Sequence, residues 1–351
     1  MRILHIIFSF TSDGAETMLV DIINEQSKTT HVELIIINNL YNIDLIETIN
    51  KNVKVHCLNR IPGSINPLIF FTLNYRVYKL KPNIIHFHSH NAIGLLRYKG
   101  IGRTFLTIHG LHRPLKYFNK YDKLISISNA VRNDLESRGS INSTTIYNGV
   151  DFSKIKIRWE SFEDKTFKIA DVSRLYHEIK GQDVLLKALH HLIYKIGITN
   201  VHLDFIGEGP SLTYLQNLVQ ELKLQCHVNF LGLLNRNTIY SIIQNYSLLV
   251  QPSIHEGFGL TIVEGMAAKI PVLVSNIPGP MEVIKNGKYG YYFESENSIS
   301  CAEEIKNIFE NKHAGRFTYK LNCAYDYATI NYSIQKTASN YIKEYQKILN
   351  C

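Results

Sequence analysis

The sequence has little cysteine, and the five cysteines that it has lie far apart. They are Cys57, Cys226, Cys301, Cys323 and Cys351. Their number is odd and no C-x-x-C pair occurs, so the pattern predicts neither a disulfide framework nor a zinc site. This absence favours a reducing compartment, and we expect a cytoplasmic protein.

The sequence also lacks an apolar run of about 18 residues, the length that a membrane-spanning helix requires. The N-terminal stretch MRILHIIFSF is apolar but short, and Asp13 and Glu16 follow it at once. This arrangement is typical of a buried strand and not of a signal peptide. We therefore expect a protein that is neither exported nor inserted into a membrane.

Acidic residues are absent between Glu47 and Asp122, although twelve basic residues lie there. Residues 1–150 hold 17 Lys and Arg against 10 Asp and Glu, whereas residues 151–351 hold 21 against 20. A basic half favours an anionic partner, such as a membrane surface, a nucleic acid or a phosphorylated lipid. A solubilising surface is the plain alternative. No nucleic-acid recognition motif occurs, so we expect no nucleic-acid partner.

Metal-ligand patterns are scarce as well. His86, His88 and His90 alternate in the stretch HFHSH, and a period of two places them on one face of a strand. No carboxylate or cysteine lies nearby in the sequence. We therefore expect no metal and no other cofactor.

The sequence does contain a regular alternation of short β-branched runs with helical stretches. RILHIIFS and HVELIIIN are such runs in the first half, and FKIADVSR and VHLDFIG in the second. Apolar strands separated by helices are typical of parallel sheets that are buried on both faces. Because 351 residues exceed the size of one hydrophobic core, we predict an α/β fold with two doubly wound units.

The boundary between the units is predicted in residues 147–160, YNGVDFSKIKIRWE, where a turn signal precedes an aperiodic stretch. We assign residues 1–150 and 151–330 to the two domains, and residues 331–351 to a C-terminal helix that packs back on the first domain. Ligands of open α/β sheets bind outside the carboxyl ends of the strands. Two units that face each other would therefore form a deep cleft.

The stretch HEGFGLTIVE carries the clearest chemical signal. Its GFG turn opens a helix near Leu260, and the free N–H groups of a helix start bind phosphate. Glu256 precedes the turn, and Glu264 lies about two helical turns in. This spacing fits a nucleotide diphosphate sugar that lies across the helix start, with one carboxylate at each end.

Two cations, Arg174 and Lys180, lie in VSRLYHEIKGQD, between a buried strand and an amphipathic helix. From such a loop they can converge on a diphosphate and neutralise the charge that develops when it leaves. Taken alone, the stretch is typical of a solvated loop. Beside the glutamate stretch, we interpret it as part of the same site.

The first half carries weaker signals. Gly14, in TSDGAE, follows the first strand and lets the backbone approach a ligand, although the full G-x-G-x-x-G pattern is missing. His109, in TIHG, ends another strand and would face the same cleft. A histidine at a strand end is more often structural than catalytic.

These stretches together resemble the retaining glycosyltransferases of family 4, whose B-type fold consists of two Rossmann-like domains. The resemblance extends from DGAE through TIHG, ISISNAVRNDL, YNGVD, VSRL, IGEGP and NFLG to PSIHEGFGLTIVEGMAAKIPVLVSN. The sequence departs from the family pattern where Asp13-Gly14 and Gly279-Pro280 replace glycine pairs and where Lys269 replaces a glycine. The acidic residue common before the PSIHEGFG segment is absent from NYSLLVQPS.

The resemblance implies a role for each candidate residue. Glu256 would contact the hydroxyls of the transferred sugar, and His109 would approach that sugar. Arg174 and Lys180 would hold the diphosphate. The other donor-binding positions would be Gly14, Gly207, Gly209, Leu231, Leu233, Phe258, Gly259, Leu260, Thr261 and Glu264, with the last on the ribose.

The activity that follows is transfer of a hexose or N-acetylhexosamine from a nucleotide diphosphate sugar, expected to be a UDP-sugar, with retention of anomeric configuration. No D-x-D pair occurs, the usual place for a divalent ion on a nucleotide sugar. Arg174 and Lys180 would do that ion's work.

Residues 66–81, NPLIFFTLNYRVYKLK, mix aromatic and aliphatic side chains with basic ones. This composition suits a helix in a membrane interface, and an apolar face that packs on the sheet is an equal alternative. We expect a peripheral protein at the inner face of the cytoplasmic membrane, with a lipid-linked saccharide or an oligosaccharide as acceptor. The family resemblance implies a role in bacterial O-antigen, lipopolysaccharide or capsule biosynthesis.

Two alternatives stay open. A nucleotide-sugar epimerase of the same architecture would bind the same donor but would not need a basic half. A non-catalytic partner that docks another transferase to the membrane would not need the four charged residues Arg174, Lys180, Glu256 and Glu264.

Overall fold

The computed structural model describes residues 1–11, 14–97, 100–158 and 166–350. The chain forms an N-terminal unit of residues 1–150 and 332–351 and a C-terminal unit of residues 151–331. The boundary falls inside the stretch 147–160 that the sequence marks as a linker. Asp13 and the end of that linker, Trp159 and Glu160, lie outside the described residues.

The N-terminal unit is built on a seven-stranded parallel sheet with the strand order β3-β2-β1-β4-β5-β6-β7. Its strands are β1 Arg2–Ile7, β2 His31–Asn38, β3 Lys54–Arg60, β4 Ile84–Phe87, β5 Arg103–Ile108, β6 Lys123–Ser126 and β7 Thr144–Thr145. Its first four helices are α1 Gly14–Gln26, α2 Ile43–Glu47, α3 Pro67–Leu80 and α4 Asn129–Gly139.

The C-terminal unit repeats this architecture with a six-stranded sheet in the order β10-β9-β8-β11-β12-β13. Its strands are β8 Phe167–Val172, β9 Val201–Ile206, β10 Val228–Phe230, β11 Leu248–Gln251, β12 Val272–Ser275 and β13 Tyr291–Phe293. Its helices are α5 His177–Lys180, α6 Gln182–His191, α7 Leu212–Glu221, α8 Arg236–Ile242, α9 Leu260–Ala267, α10 Pro278–Val283, α11 Ser298–Asn311 and α12 Gly315–Tyr332. Short 3₁₀ and π turns connect several of these elements.

Continuous apolar runs form the central strands because these strands are covered on both faces. In β2, every residue from Val32 to Asn38 is buried, and all strand pairs of the described residues are parallel. Helices on both faces supply the cover that such sheets need. The predicted α/β fold with two doubly wound units is therefore confirmed.

The histidine stretch HFHSH differs from its predicted form. β4 ends at Phe87, so His88 and His90 lie beyond the strand and a period of two no longer relates them. His88 stays beside His86, with ring centroids 4.6 Å apart. His90 instead lies near Phe118, so the prediction of three histidines on one strand face was wrong.

The last helix, α13 Ile334–Leu349, belongs to the N-terminal unit. Val150 and Ser333 form a parallel bridge, and Thr337 donates its hydroxyl to the carbonyl of Tyr147 at 2.9 Å. Tyr341 and Tyr345 are buried. The end of the chain thus completes the core of the unit in which the chain begins.

Each sheet contains one place where the strand order reverses. The reversal lies between β1 and β4 in the first sheet and between β8 and β11 in the second. Loops that leave the carboxyl ends of such neighbours diverge and leave a crevice for ligands. Within the described ranges, no helix has both the length and the apolar content that crossing a bilayer requires.

Gly149 packs closely against the start of α13, where the chain returns to the N-terminal unit. Replacing Gly149 tests that packing. A Cβ at Gly149 would lie 2.4 Å from Thr337 Oγ1 and 2.7 Å from the carbonyl oxygen of Ser333. We expect Gly149→Ala to destabilise the N-terminal unit by about 1–3 kcal/mol, as overpacking does. Thermal unfolding followed by circular dichroism measures the effect. Gly315→Ala is the matched control, since a Cβ there meets nothing within 4 Å; equal midpoints for both variants would contradict this packing.

Candidate donor-binding site

The loops after β8 and β11 flank the strand-order reversal of the C-terminal sheet, and hydrogen bonds join them. The backbone N–H groups of Ile254 and His255 both donate to the carbonyl of Ile179, at 2.8 and 3.1 Å. This contact ties the stretch that contains Lys180 to the stretch that contains Glu256. Two motifs about 75 residues apart therefore form one site.

An ion pair lies at the centre of this site. Lys180 Nζ lies 2.6 Å from Glu256 Oε2, and both side chains keep part of their surface accessible. Gln251 Nε2 donates to the same carboxylate oxygen at 2.9 Å, and the N–H of Phe258 donates to Oε1 at 3.3 Å. The carboxylate is thus held in one orientation, with its ammonium partner beside it.

Gln251 is a site residue that the sequence did not reveal. It ends β11, and its side chain also accepts a hydrogen bond from Thr261 Oγ1 at 3.3 Å. The amide therefore connects Glu256 to the first turn of α9. The only signal in the sequence was a polar residue at the end of an apolar strand.

The helix α9 begins at Leu260, directly after the glycine turn, as the sequence predicts. Gly259 precedes the helix with a φ of 97°, and a Cβ there would lie 2.5 Å from Ile262 Cδ1 and 2.9 Å from Gln251 Oε1. Only glycine fits this position. The N–H groups of Leu260 and Thr261 follow at the helix start, where helix geometry supplies no internal acceptor.

Glu264 lies in the second turn of α9 and is largely buried. Its Oε1 accepts a hydrogen bond from the Tyr240 hydroxyl at 3.1 Å and lies 3.8 Å from Arg236 Nε. Arg236 also bonds the Tyr240 hydroxyl and lies over its ring. Neither of these α8 residues was expected from the sequence, although their spacing of four positions places them side by side on one helix.

Two further loops, those after β9 and β10, reach the carboxyl edge of the same sheet. A Cβ at Gly207 would lie 2.0 Å from the carbonyl oxygen of Ser173, and one at Gly209 would lie 2.3 Å from that of Leu175. The loop after β9 therefore packs directly on the loop that carries Arg174. The N–H of Gly207 donates to the carbonyl of Gly232 at 2.9 Å.

Leu231 and Leu233 flank Gly232 and are both exposed. They offer an apolar surface beside the glycine loop.

The structure shows the surroundings of two departures from the family pattern, Gly279-Pro280 and Lys269. A Cβ at Gly279 would lie 2.4 Å from the carbonyl oxygen of Glu256, so the glycine that is retained is the one that packs under the turn. Pro280 then lies in the first turn of α10, a position that proline tolerates. Lys269 has a φ of 55°, the left-handed conformation that favours glycine.

Gly14 and His109 belong to the N-terminal unit. Gly14 begins α1, and His109 follows β5. Burial, with a further contribution from Arg113, lowers the pKa of His109 to about 4. His109 is therefore a neutral imidazole at neutral pH.

Asp171 is a buried carboxyl group at the end of β8, below the loop that carries Arg174. Burial raises its pKa to about 7, although the Ser173 hydroxyl and Lys180 act in the opposite direction. This pKa lies above the ordinary value of about 3.9. Between these two pH values the folded state binds more protons than the unfolded state, so stability falls as pH rises.

We expect Asp171→Asn to remove this pH dependence. The wild-type unfolding midpoint should fall more between pH 5 and pH 8 than that of the variant, measured by thermal scans. Asp326→Asn, at an exposed position on α12, is the matched control and should follow the wild type. An Asp171→Asn variant with wild-type pH dependence would show that Asp171 titrates normally.

Comparison with known proteins places this architecture in a family. A model described as Glycosyltransferase Family 4 matches residues 12–154, and one described as Glycosyl transferases group 1 matches residues 153–322. The two matches join close to Val150, where the structure divides the chain.

Individual relatives and a solved structure are also similar to this chain. An uncharacterised glycosyltransferase of Methanocaldococcus jannaschii is 30% identical over 75% of this chain and 76% of its own length. The O-antigen biosynthesis glycosyltransferase WclY of Escherichia coli is 27% identical over 81% of this chain and 82% of its own. The crystal structure of Anabaena HepE in complex with UDP-glucose has a TM-score of 0.80 at 20% identity, over 99% of this chain and 100% of that one. This chain is therefore a glycosyltransferase of family 4, with the B-type fold of two Rossmann-like domains.

Proposed function

We propose that this glycosyltransferase moves a hexose or N-acetylhexosamine from a UDP-sugar to a lipid-linked saccharide, without a metal ion and with retention of anomeric configuration. The observation that carries this proposal is the Lys180–Glu256 pair, held beside the start of α9. The Anabaena structure with UDP-glucose supports the donor, and the O-antigen enzyme of Escherichia coli supports a surface polysaccharide pathway.

The Lys180–Glu256 pair offers a cationic group for the diphosphate of a nucleotide sugar and an anionic group for its sugar. The ammonium group and the amides at the start of α9 attract the diphosphate, whose charge grows as the sugar leaves. The carboxylate accepts hydrogen bonds from sugar hydroxyls. Because a good leaving group is present, stabilising its charge matters more than a strong general base. The departing phosphate takes the acceptor's proton.

We assign Glu256 the role of a hydrogen-bond acceptor and not that of an acid catalyst. Its Oε2 is shared by Lys180 and Gln251, and its Oε1 accepts from a backbone amide. Glu264, held by Tyr240 and Arg236, is suited to accept the two hydroxyls of a ribose. Neither carboxylate has the environment of the paired acids of glycoside hydrolases, where one carboxylic acid protonates the leaving group.

Replacement of Lys180 tests the site directly. We expect Lys180→Ala to lower kcat/KM by about 10²- to 10³-fold, as the loss of one preorganised charge-stabilising donor does. The assay follows release of nucleotide diphosphate from a panel of nucleotide sugars, with and without EDTA. Lys187→Ala, which removes an exposed ion pair on α6, is the matched control.

The outcomes separate the alternatives. Near-normal turnover by Lys180→Ala in a folded protein would exclude the site, and loss of activity in EDTA would exclude metal independence. An inverted anomer in the NMR spectrum of the product would exclude retention. An epimerised donor in the absence of acceptor would favour the epimerase. A docking module would give no calorimetric signal with UDP.

The surface of α3 supports a membrane-bound acceptor. Leu73 and Val77 pack inward, so the helix has a buried apolar face. Four large side chains on the opposite side remain exposed, and their spacing places them in one stripe: Leu68, Phe71, Tyr75 and Tyr78. Ile61 and Ile65, in the preceding loop, are also exposed. We call these six residues the apolar stripe.

A basic groove lies beside the apolar stripe. It has a volume of about 680 Å³ and is lined by the cationic side chains of Arg2, Lys54, Arg76 and Lys79. Glu33, the carboxylate among them, already accepts hydrogen bonds from His56 and His31 at 2.7 and 2.9 Å. An apolar stripe beside four cations and a single carboxylate fits the interface of an anionic membrane. The protein is then cytoplasmic and peripheral, at the inner face of the cytoplasmic membrane.

Introducing carboxylates into the apolar stripe tests membrane binding. We expect the wild type to float with phosphatidylserine-containing liposomes at low salt and to bind less as salt rises. The double variant Phe71→Glu, Tyr75→Glu should remain in the soluble fraction, because carboxylates lose both the apolar contact and the attraction. Tyr319→Glu, at an exposed aromatic residue of α12, is the matched control. Equal flotation of all three proteins would exclude the stripe, and no flotation of the wild type would exclude the membrane surface.

A further inference from the structure

Four histidine side chains meet beside the strand-order reversal of the N-terminal sheet. His5 lies on β1, His86 on β4, His88 just after β4 and His109 just after β5. The first three are buried, and His109 is half-buried. The family resemblance gives His109 a role at the transferred sugar and gives none to the other three.

Three of these rings form a row of hydrogen bonds that ends on α1. His109 Nε2 lies 3.1 Å from His88 Nδ1, and His88 Nε2 lies 3.0 Å from His5 Nδ1. His5 Nε2 then lies 2.9 Å from Gln26 Oε1. Successive ring centroids are 5.3 Å apart, at interplanar angles of 26° and 34°. The rings meet nearly edge to edge, the arrangement that brings their nitrogens into line.

The rings of this row are neutral at neutral pH. Burial lowers the pKa of His5 to about 4, and it lowers the pKa of His88 well below the ordinary value. The pKa of His109 is lowered to about 4 by burial and by Arg113. A neutral imidazole has one donor nitrogen and one acceptor nitrogen. The state of one ring therefore decides the state of the next.

We propose that Gln26, His5 and His88 are positioning residues that fix the tautomer of His109. The oxygen of Gln26 only accepts, so it requires the proton of His5 on Nε2. His5 Nδ1 then accepts from Nε2–H of His88, and His88 Nδ1 accepts from Nε2–H of His109. Nδ1 of His109 is left with a lone pair.

The tautomer of His109 decides which functional group of a sugar can face its Nδ1. That His109 binds a sugar at all rests on the proposed function. A lone pair at Nδ1 accepts a hydrogen bond from a hydroxyl group and repels a carbonyl or carboxylate oxygen. A sugar bound at His109 therefore presents a hydroxyl to Nδ1. A uronic acid carboxylate at that position does not fit.

His86 lies beside the row and not within it. Its Nδ1 contacts the Tyr345 hydroxyl, and its Nε2 lies 2.8 Å from Thr107 Oγ1. Thr107 in turn lies 3.0 Å from the Tyr341 hydroxyl. Thr107→Val thus changes a buried hydroxyl of the same cluster without breaking the row, which makes it a matched control for Gln26→Met.

A metal site is the competing explanation, since one nitrogen from each of His5, His86 and His88 lies within 4.8 Å of the others. The facing nitrogens of His5 and His88 are 3.0 Å apart, which leaves room for a proton between them. Among the described residues, both nitrogens of each of these rings already have a hydrogen-bonding partner.

The tautomer of His109 is measured from long-range proton–nitrogen correlation spectra of the full chain with nitrogen-15 histidine, assigned by the signals lost in His109→Gln. We expect a proton on Nε2 of His109 in the wild type and in Thr107→Val. Gln26→Met should give a mixture of both tautomers. Its kcat/KM should fall about 2- to 10-fold, the effect of one hydrogen bond, while that of Thr107→Val stays within twofold.

A wild-type His109 protonated on Nδ1 would overturn the proposal without any variant. A Gln26→Met spectrum identical to the wild type would do the same, and so would stoichiometric zinc binding that shifts the signals of His5, His86 and His88. The spectra need no nucleotide sugar. A failure of the proposed histidine row can therefore be distinguished from a failure of the proposed donor site. The Lys180→Ala assay tests the donor site separately.

Discussion

Both units depend on one constraint, the reversal of strand order within a parallel sheet. At β1 and β4, and again at β8 and β11, neighbouring strands send their connections to opposite sides. The loops part at those places and expose backbone N–H groups and strand-end side chains. The histidine row occupies the first reversal, and the Lys180–Glu256 pair occupies the second. The chemistry lies where the sheet leaves space for it.

The two reversals contain polar groups in different states, and solvation is the physical reason. Lys180 and Glu256 keep some contact with water and form an ion pair with each other. His5 and His88 lie too deep for charge, and burial keeps them neutral. Neutral imidazoles satisfy their nitrogens by bonding one another in sequence. A charged pair suits a diphosphate, whereas a neutral row suits the uncharged hydroxyls of a sugar.

The C-terminal helix α13 connects the end of the chain to this chemistry. Tyr345 contacts His86, and Tyr341 bonds Thr107 at the neighbouring strand. The close approach at Gly149 allows α13 to return to the sheet in which the chain begins. The last residues of the sequence therefore support the histidine cluster, although they follow the whole C-terminal unit.

The sequence by itself determined the elements and the local motifs. Apolar runs such as HVELIIIN mark strands because burial on both faces requires continuous hydrophobicity, and Gly259 marks the start of α9 because only glycine fits its backbone. The tertiary structure alone decided which distant side chains became partners. These partners are Gln251 beside Glu256, Arg236 and Tyr240 beside Glu264, and Gln26 at the end of the histidine row. Their contacts arise when separate elements pack, and no spacing within one element predicts which element lies opposite. The end of β4 at Phe87 is a further example. Pairing with the neighbouring strands determines where β4 ends, and the alternation in HFHSH does not predict it.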